Sequence, residues 1–397
     1  MFFNKDYSVG KLLLTGCDVA DVRNQTVIRG VDILLERGKI AAVGGFDSDS
    51  VDAEIIHAAG RTVTPGLIDA HVHLCLSAEP DCHLNLDTQT RDEKIKILCN
   101  NLLRNLCNGV TTVRDLGCRW DMLEHMRELE VTETVYPSVF ASGPVCTVSE
   151  GHALFIGEAI SPDTVDAFLR RLKNHGADTF KLVGTGGNLS PGTDCNATQY
   201  TDAQFAALVD AALAEGFDVS CHVHATAGIE QCLRFGVRSI EHGSYMERNQ
   251  VERLSDSNSC YWVSTVCPGR LISVISDAAQ DRVNRRRSNI RYAVEVGGKL
   301  VAGTDAGIGG VYHGCLAYEL DEFTDAGKTP LDALRSATYL SAVMMRCEDK
   351  IGVIEAGACA DVLLYDGDIA KSGFSFHNPL VVIKGGRIIK NEIDHQL

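Results

Sequence analysis

The chain has 397 residues, 45% of them apolar and 23% charged, a balance that excludes disordered and collagen-like chains and is ample for a large core. At this length folding removes roughly three quarters of the unfolded chain's accessible surface, so neither disulfides nor structural metals are needed for stability, and a bound metal would signal chemistry. With 37 Lys and Arg against 53 Asp and Glu the net charge is −16, which repels nucleic acid and anionic membrane surfaces and leaves a small molecule as the expected partner.

The opening Met1-Phe2-Phe3-Asn4-Lys5-Asp6 lacks the basic-then-apolar order of a signal peptide. No apolar run reaches the roughly 18 residues of a membrane span, so a cytoplasmic location is expected. The 15 cysteines are odd in number, scattered and free of CxxC pairs, and in a reducing compartment they read as small core hydrophobes. Residues 1–62 form short strand-like runs broken by Gly and Asp turns, and 347–397 repeat that texture. The Arg37-Gly38-Lys39 and Gly385-Gly386-Arg387 corners match, so the two ends are expected to pair into one small β-sandwich domain.

Between them, 63–346 alternate apolar strands with helical stretches, the pattern of parallel strands covered by helices. Eight strands are expected, at 66–74, 110–115, 136–142, 178–183, 217–223, 238–242, 260–265 and 299–304. Helical periodicity is clearest in DEKIKILCNNLLRNLCNG, PDTVDAFLRRLKNHG and TDAQFAALVDAALAEG, each opening on an acidic or capping residue and closing on Gly. Eight such units match a (β/α)8 TIM barrel, an α/β fold. A doubly wound open sheet is disfavoured, because the first strand–helix turn carries no G-x-G-x-x-G fingerprint.

The active site of such a barrel lies at the C-terminal ends of its strands. Strand one ends in Asp69-Ala70-His71-Val72-His73, where alternation points His71 and His73 the same way. Strand five ends in Cys221-His222-Val223-His224, strand six in Glu241-His242, and strand eight in Thr304-Asp305. Neutral imidazole with carboxylate suits zinc, iron, nickel or manganese. Strand four puts Lys181 inside an apolar run, where burial lowers its pKa and frees the amine to react with carbon dioxide; the resulting carbamate could bridge two cations. His224 shares a face with His222 and is expected beside the site, in a substrate-binding or supporting role. The Gly184-Thr185-Gly186-Gly187 turn lacks the Lys-Ser/Thr end of a phosphate loop and is read as a close backbone approach.

The stretches TPGLIDAHVHL, GVTTVRDLG, DTFKLVGTGG, FDVSCHVHATAGIEQCLRFGVRSIEHGSYM, VAGTDAG and IGVIEAGACADVLLYDGD together resemble the amidohydrolase superfamily, within it the prolidase-like and imidazolonepropionase-like group. The resemblance implies a binuclear centre of two divalent ions, zinc foremost. His71, His73 and Asp305 would hold the more buried ion, His222 and His242 the more exposed one, with carboxylated Lys181 bridging. It implies Asp305 as general base and His152 as a catalytic and substrate-binding group that polarises the scissile carbonyl. Here His152 sits in Ser149-Glu150-Gly151-His152-Ala153, where the resembling enzymes usually carry Gly-Gly-His-Gly. Tyr245 resembles a tyrosine that contacts a substrate carboxylate.

The implied activity is metal-dependent hydrolysis of a C–N amide or peptide bond in a dipeptide, Xaa-Pro or similar, or in an N-acyl amino acid. Cyclic amide hydrolysis on the same barrel is the alternative. Heterocycle deamination is disfavoured, because deaminases carry an acid just after the strand-five histidine, where this chain has Ala225, Thr226 and Ala227. A non-catalytic scaffold would have lost ligands, and all six are present. Homo-oligomer formation is compatible with this reading, since such barrels often associate.

Overall fold

The computed structural model describes residues 10–393 apart from 188, 191, 274 and 275, so the N-terminal Met1–Asp6 reading lies outside the described residues. Eight parallel strands form the barrel: Leu67–Val72, Val110–Asp115, Ser138–Ala141, Phe180–Val183, Val219–Val223, Ser239–His242, Tyr261–Val263 and Leu300–Val301. Every residue of these strands but the half-buried Phe140 is buried, as expected of strands covered on both faces. The ring closes through backbone bonds from strand eight to strand one, Ala70 N to Ala302 O at 3.1 Å and Asp305 N to His71 O at 2.8 Å. This closure carries Asp305 to the end of strand one, beside the two histidines.

Helices start where capping chemistry allows. Thr90 with Glu93 and Thr201 with Gln204 form reciprocal capping boxes that open Arg91–Cys107 and Asp202–Ala214. The ring is not eight simple units, however. Strands one to three form one ladder and four to eight another, and beyond strand three the chain turns at Gly143 and continues as Val145–Thr147. That short strand pairs with strand four, Cys146 opposite Leu182, and so bridges the gap. Asp178 lashes the same seam lower down: its N–H donates to Ala141 O at 2.8 Å while its carboxylate accepts from Ala141 N at 2.9 Å.

The two chain ends combine as expected. Five strands from the N-terminal part and three from the C-terminal part make one mixed eight-stranded sheet. The long strand Leu12–Asp21 pairs with Glu54–His57 over its first half and with Thr62–Pro65 over its second, with register shifts between Leu14 and Val19. Such a bend lets one strand serve both layers of a sandwich. The matched hairpin corners meet on Ala360, whose N–H donates to Gly38 O while its carbonyl accepts from Gly386 N, both at 2.9 Å. Lys384 ties this sheet to the barrel floor, its buried Nζ donating to Asp361 at 2.7 Å and to Ser138 Oγ of strand three at 2.9 Å.

Of the 15 cysteines 12 are buried and none is in a disulfide, which bears out their reading as small core residues. Among the described residues no helix is long and apolar enough to cross a membrane.

Candidate functional site

At the C-terminal end of the barrel lies a cavity of about 540 Å³. His71, His73, Lys181, His222, His242 and Asp305, drawn from strands one, four, five, six and eight, all line it. Asp305 Oδ1 lies 3.4 Å from His71 Nε2 and 3.3 Å from His73 Nε2. Ligand atoms of these three residues fall within 4.8 Å of one another, close enough to share one ion. The rings of His222 and His242 are 4.6 Å apart and those of His71 and His242 5.0 Å apart, so the second pair of imidazoles adjoins the first.

Backbone strain marks this rim. His242, Thr265 and Asp305 all have left-handed backbone, with φ of 69°, 46° and 62°. For a β-branched residue such as Thr265 this is a genuine outlier, and outliers of this kind cluster at functional sites. The strained pair is joined: His242 Nδ1 and Thr265 Oγ1 are 2.7 Å apart, which fixes the imidazole's orientation. Gly307 is required where it stands, with φ 110° and a Cβ position that would fall 2.3 Å from His73 O.

Each histidine is oriented by a partner. His71 Nδ1 faces Glu241 Oε2 at 2.7 Å, and Glu241 Oε1 in turn accepts from Arg114 Nη2 at 2.9 Å and Ser239 Oγ at 2.5 Å. Arg114 is anchored further on Ala70 O and Ser220 Oγ. The imidazole is thereby held with Nε2 toward Asp305, the arrangement that metal-binding histidines use to fix their tautomer. The sequence puts Glu241 at the rim with His242, but alternation turns it into the barrel, behind His71. Burial would raise Glu241, yet Arg114 and His71 outweigh it and hold its carboxyl down at about 2.

The electrostatics suit cation binding. Burial first, then Lys181, pushes His71 down to about 4, and burial brings His152 down to about 4 as well. Burial and mutual repulsion depress His222 and His242 far below the ordinary imidazole range. These rings are therefore neutral near pH 7, with lone pairs available. For Asp305 burial acts upward, but a hydrogen bond from His73 and the neighbouring His71 and Lys181 hold it ionised, well below the usual carboxylate range. Lys181 Nζ is buried without any hydrogen-bond partner, and desolvation lowers its pKa to about 8. An orphaned buried amine is costly, and a neighbouring acceptor or a modification of the nitrogen would relieve it. Neutral imidazoles, an ionised aspartate and this orphaned amine are a donor set that fits divalent metal.

His152 also lines the cavity, its ring 4.4 Å from that of His222 and its Nδ1 3.1 Å from Ser190 Oγ. The two residues that stand where the resembling enzymes carry glycine, Glu150 and Ala153, have φ of 57° and 61°. Left-handed backbone is thus adopted here by residues with a Cβ, at a cost of roughly 1–2 kcal/mol each. Gly187 makes room for the imidazole, since a Cβ there would lie 2.4 Å from His152 Nε2; the glycine turn serves a close approach, as its sequence suggests.

His224 lines the cavity with its ring stacked on His242 at 5.1 Å and its Nδ1 2.8 Å from Ser244 Oγ. Tyr245, expected to contact substrate, is not among the lining residues. Its N–H is bound to His224 O, and its ring lies 5.5 Å from the Arg285 guanidinium. The backbone that fixes His224 and His242 therefore carries the next tyrosine past the cavity. Arg282 and Arg286, which sequence reading did not single out, do line it.

The amidohydrolase family model matches residues 62–390, most of the chain. Ochratoxinase of Aspergillus niger is 24% identical over 373 residues, covering 82% of this chain and 75% of that protein. Imidazolonepropionase of Geobacillus sp. (strain WCH70) is 24% identical over 412 residues and covers 91% of each. Among solved structures, a Xaa-Pro dipeptidase with bound methionine superposes with a TM-score of 0.84 at 26% identity, covering 96% of this chain and 100% of that one. A prolidase complexed with N-methylphosphonate-L-proline shares the fold, with a TM-score of 0.82 at 24% identity and coverage of 96% and 100%. Ligand set, barrel and composite sheet agree with these matches: the chain belongs to the amidohydrolase family, hydrolases that act on C–N bonds.

Proposed function

We propose that this enzyme hydrolyses the amide bond of a dipeptide, Xaa-Pro or similar, or of an N-acyl amino acid. In this reading His71, His73, His222, His242, Asp305 and a carboxylated Lys181 would hold two divalent ions, zinc foremost. The observation that carries it is the orphaned Lys181 Nζ, fully buried within the ring of neutral imidazoles and ionised Asp305, which a carbamate would convert into a ligand. Likeness to a solved Xaa-Pro dipeptidase at 26% identity supports the substrate class.

Bound ions of this kind acidify a water and polarise a carbonyl. The chain's own residues then divide the work. Asp305, ionised and between His71 and His73, accepts the water's proton and returns it to the leaving nitrogen, so that water is added across the C–N bond and a carboxylic acid and an amine are released. His152, neutral and held by Ser190, faces the cavity where a donor to the carbonyl oxygen is needed. Glu241 and Arg114 keep His71 in its tautomer.

The test is a screen of dipeptides and N-acyl amino acids against the zinc-loaded protein, with cyclic ureides and aminated heterocycles alongside. Turnover of linear amides is expected. Turnover confined to the cyclic or aminated compounds would overturn this choice of substrate.

A further inference from the structure

Two arginines that the proposed ion cage does not use, Arg282 and Arg286, line the cavity. The two arginines come from one helix, Asp277–Glu295, whose buried stripe runs Arg282, Val283, Arg286, Ile290, Ala293. Arginine is rarely buried in such a stripe, since a desolvated guanidinium is expensive. Arg282 is 6% exposed and Arg286 8%.

Arg286 is only half used. Its Nη1 donates to Ser264 O, Thr265 O and Thr265 Oγ1 at 3.2, 2.8 and 3.2 Å. Its Nε is buried with no hydrogen-bond partner. The Nε/Nη2 edge is the side of a guanidinium that grips a carboxylate through two parallel bonds. Position fits as well: Thr265 Oγ1, which Arg286 holds, is itself 2.7 Å from His242 Nδ1, so the arginine stands one residue behind a candidate metal ligand. In an N-acyl amino acid only the α-carbon separates the scissile nitrogen from the carboxylate, so a carboxylate subsite must adjoin the ligands in this way.

We infer that Arg286, with Arg282 one helical turn before it, forms the subsite for a free α-carboxylate, which makes the enzyme specific for substrates whose scissile amide nitrogen belongs to a C-terminal amino acid. The inference deepens the proposed function and rests on it for the position of the scissile bond. It moves carboxylate recognition from Tyr245 to the helix after strand seven. The apolar part of the lining, Phe155, Ile156, Ile272 and Val283 among it, is left for the side chain and acyl group.

The experiment pairs N-acetyl derivatives of L-Leu, L-Met, L-Phe and L-Pro as free acids with the same compounds as carboxamides. Turnover is measured with the zinc-loaded protein and binding by calorimetry with the metal-free protein, for the wild type and for Arg282→Gln, Arg286→Gln and Arg286→Lys. The wild type is expected to favour the acids at least tenfold in kcat/KM and in affinity, about the worth of one charge-assisted hydrogen bond. Both Gln variants should bring the acid-to-amide ratio toward one, chiefly through KM, with partial recovery in Arg286→Lys. A purely structural role would lower acid and amide together and leave the ratio standing; that result, or a wild type that does not discriminate, overturns the inference. Tighter binding of the acids that is lost in Arg282→Gln, without turnover of any linear amide, would sustain this subsite while removing the proposed reaction.

Discussion

In the proposed reaction Asp305 carries more of the chemistry than any other single side chain. It faces two imidazoles, it is held ionised in a site whose burial would otherwise protonate it, and its left-handed backbone is kept by the closure of strand eight onto strand one. Asp305→Asn keeps the shape and removes the basic oxygen, so kcat is expected to fall on the order of 10²–10⁴-fold while metal, assayed in the same sample, is retained. Near-normal turnover would remove Asp305 as the base. The residues that could be picked out from sequence are those whose type is anomalous for its place: paired histidines at a strand end, a lysine inside an apolar strand. Arg282 and Arg286 escaped because they sit in DRVNRRRSNIR, where an Arg-rich stretch reads as a solvated helix face. Arg114 stood in plain view as a charge in the VTTVRD strand, the same anomaly that exposed Lys181.

Among elements, the segment after strand seven depends on one buried group from the helix Leu316–Asp325. Glu319 accepts from Ser264 Oγ at 2.5 Å, Val266 N at 2.9 Å and Cys267 N at 2.7 Å, bracketing the strained Thr265 that orients His242. Burial raises its pKa from 4.5 to about 7 despite these bonds. A carboxyl whose folded pKa lies above its unfolded one binds more protons in the fold, so its contribution to stability is full below about pH 4.5 and is lost as pH rises through about 7. The buried histidines run the opposite way, being neutral in the fold and losing stability as pH falls, but they are common to wild type and variant. The stability difference between wild type and Glu319→Gln, measured by urea unfolding of the metal-free proteins at pH 5 and pH 8, should therefore shift toward the variant at the higher pH, by on the order of 3 kcal/mol. A difference that stays flat would contradict the titration of Glu319. Most barrel elements could be read in advance, because apolar runs bounded by caps and glycines carry a clear period. The Val145–Thr147 bridge could not, since three residues are too few to show any period and only pairing with strand four defines them.

At the scale of the whole molecule, two chain ends some 300 residues apart in sequence close one sheet, and the barrel between them brings strands one, four, five, six and eight to a common rim. Matching texture at the ends foretold the sheet, and parallel-strand alternation foretold the rim. What the sequence could not show was direction, such as Tyr245 passing the cavity and Glu241 turning inward behind His71, because a shift of one residue in where a strand ends reverses the face a side chain takes. The central claim is that the rim is a two-ion cage bridged by a modified lysine. Anomalous diffraction at the zinc edge from crystals of the zinc-loaded protein tests it most directly. Two peaks are expected, one within ligand reach of His71, His73 and Asp305 and one of His222 and His242, with planar density extending Lys181 Nζ between them. A single peak, or an unmodified Lys181 with ions bound elsewhere, would contradict the account.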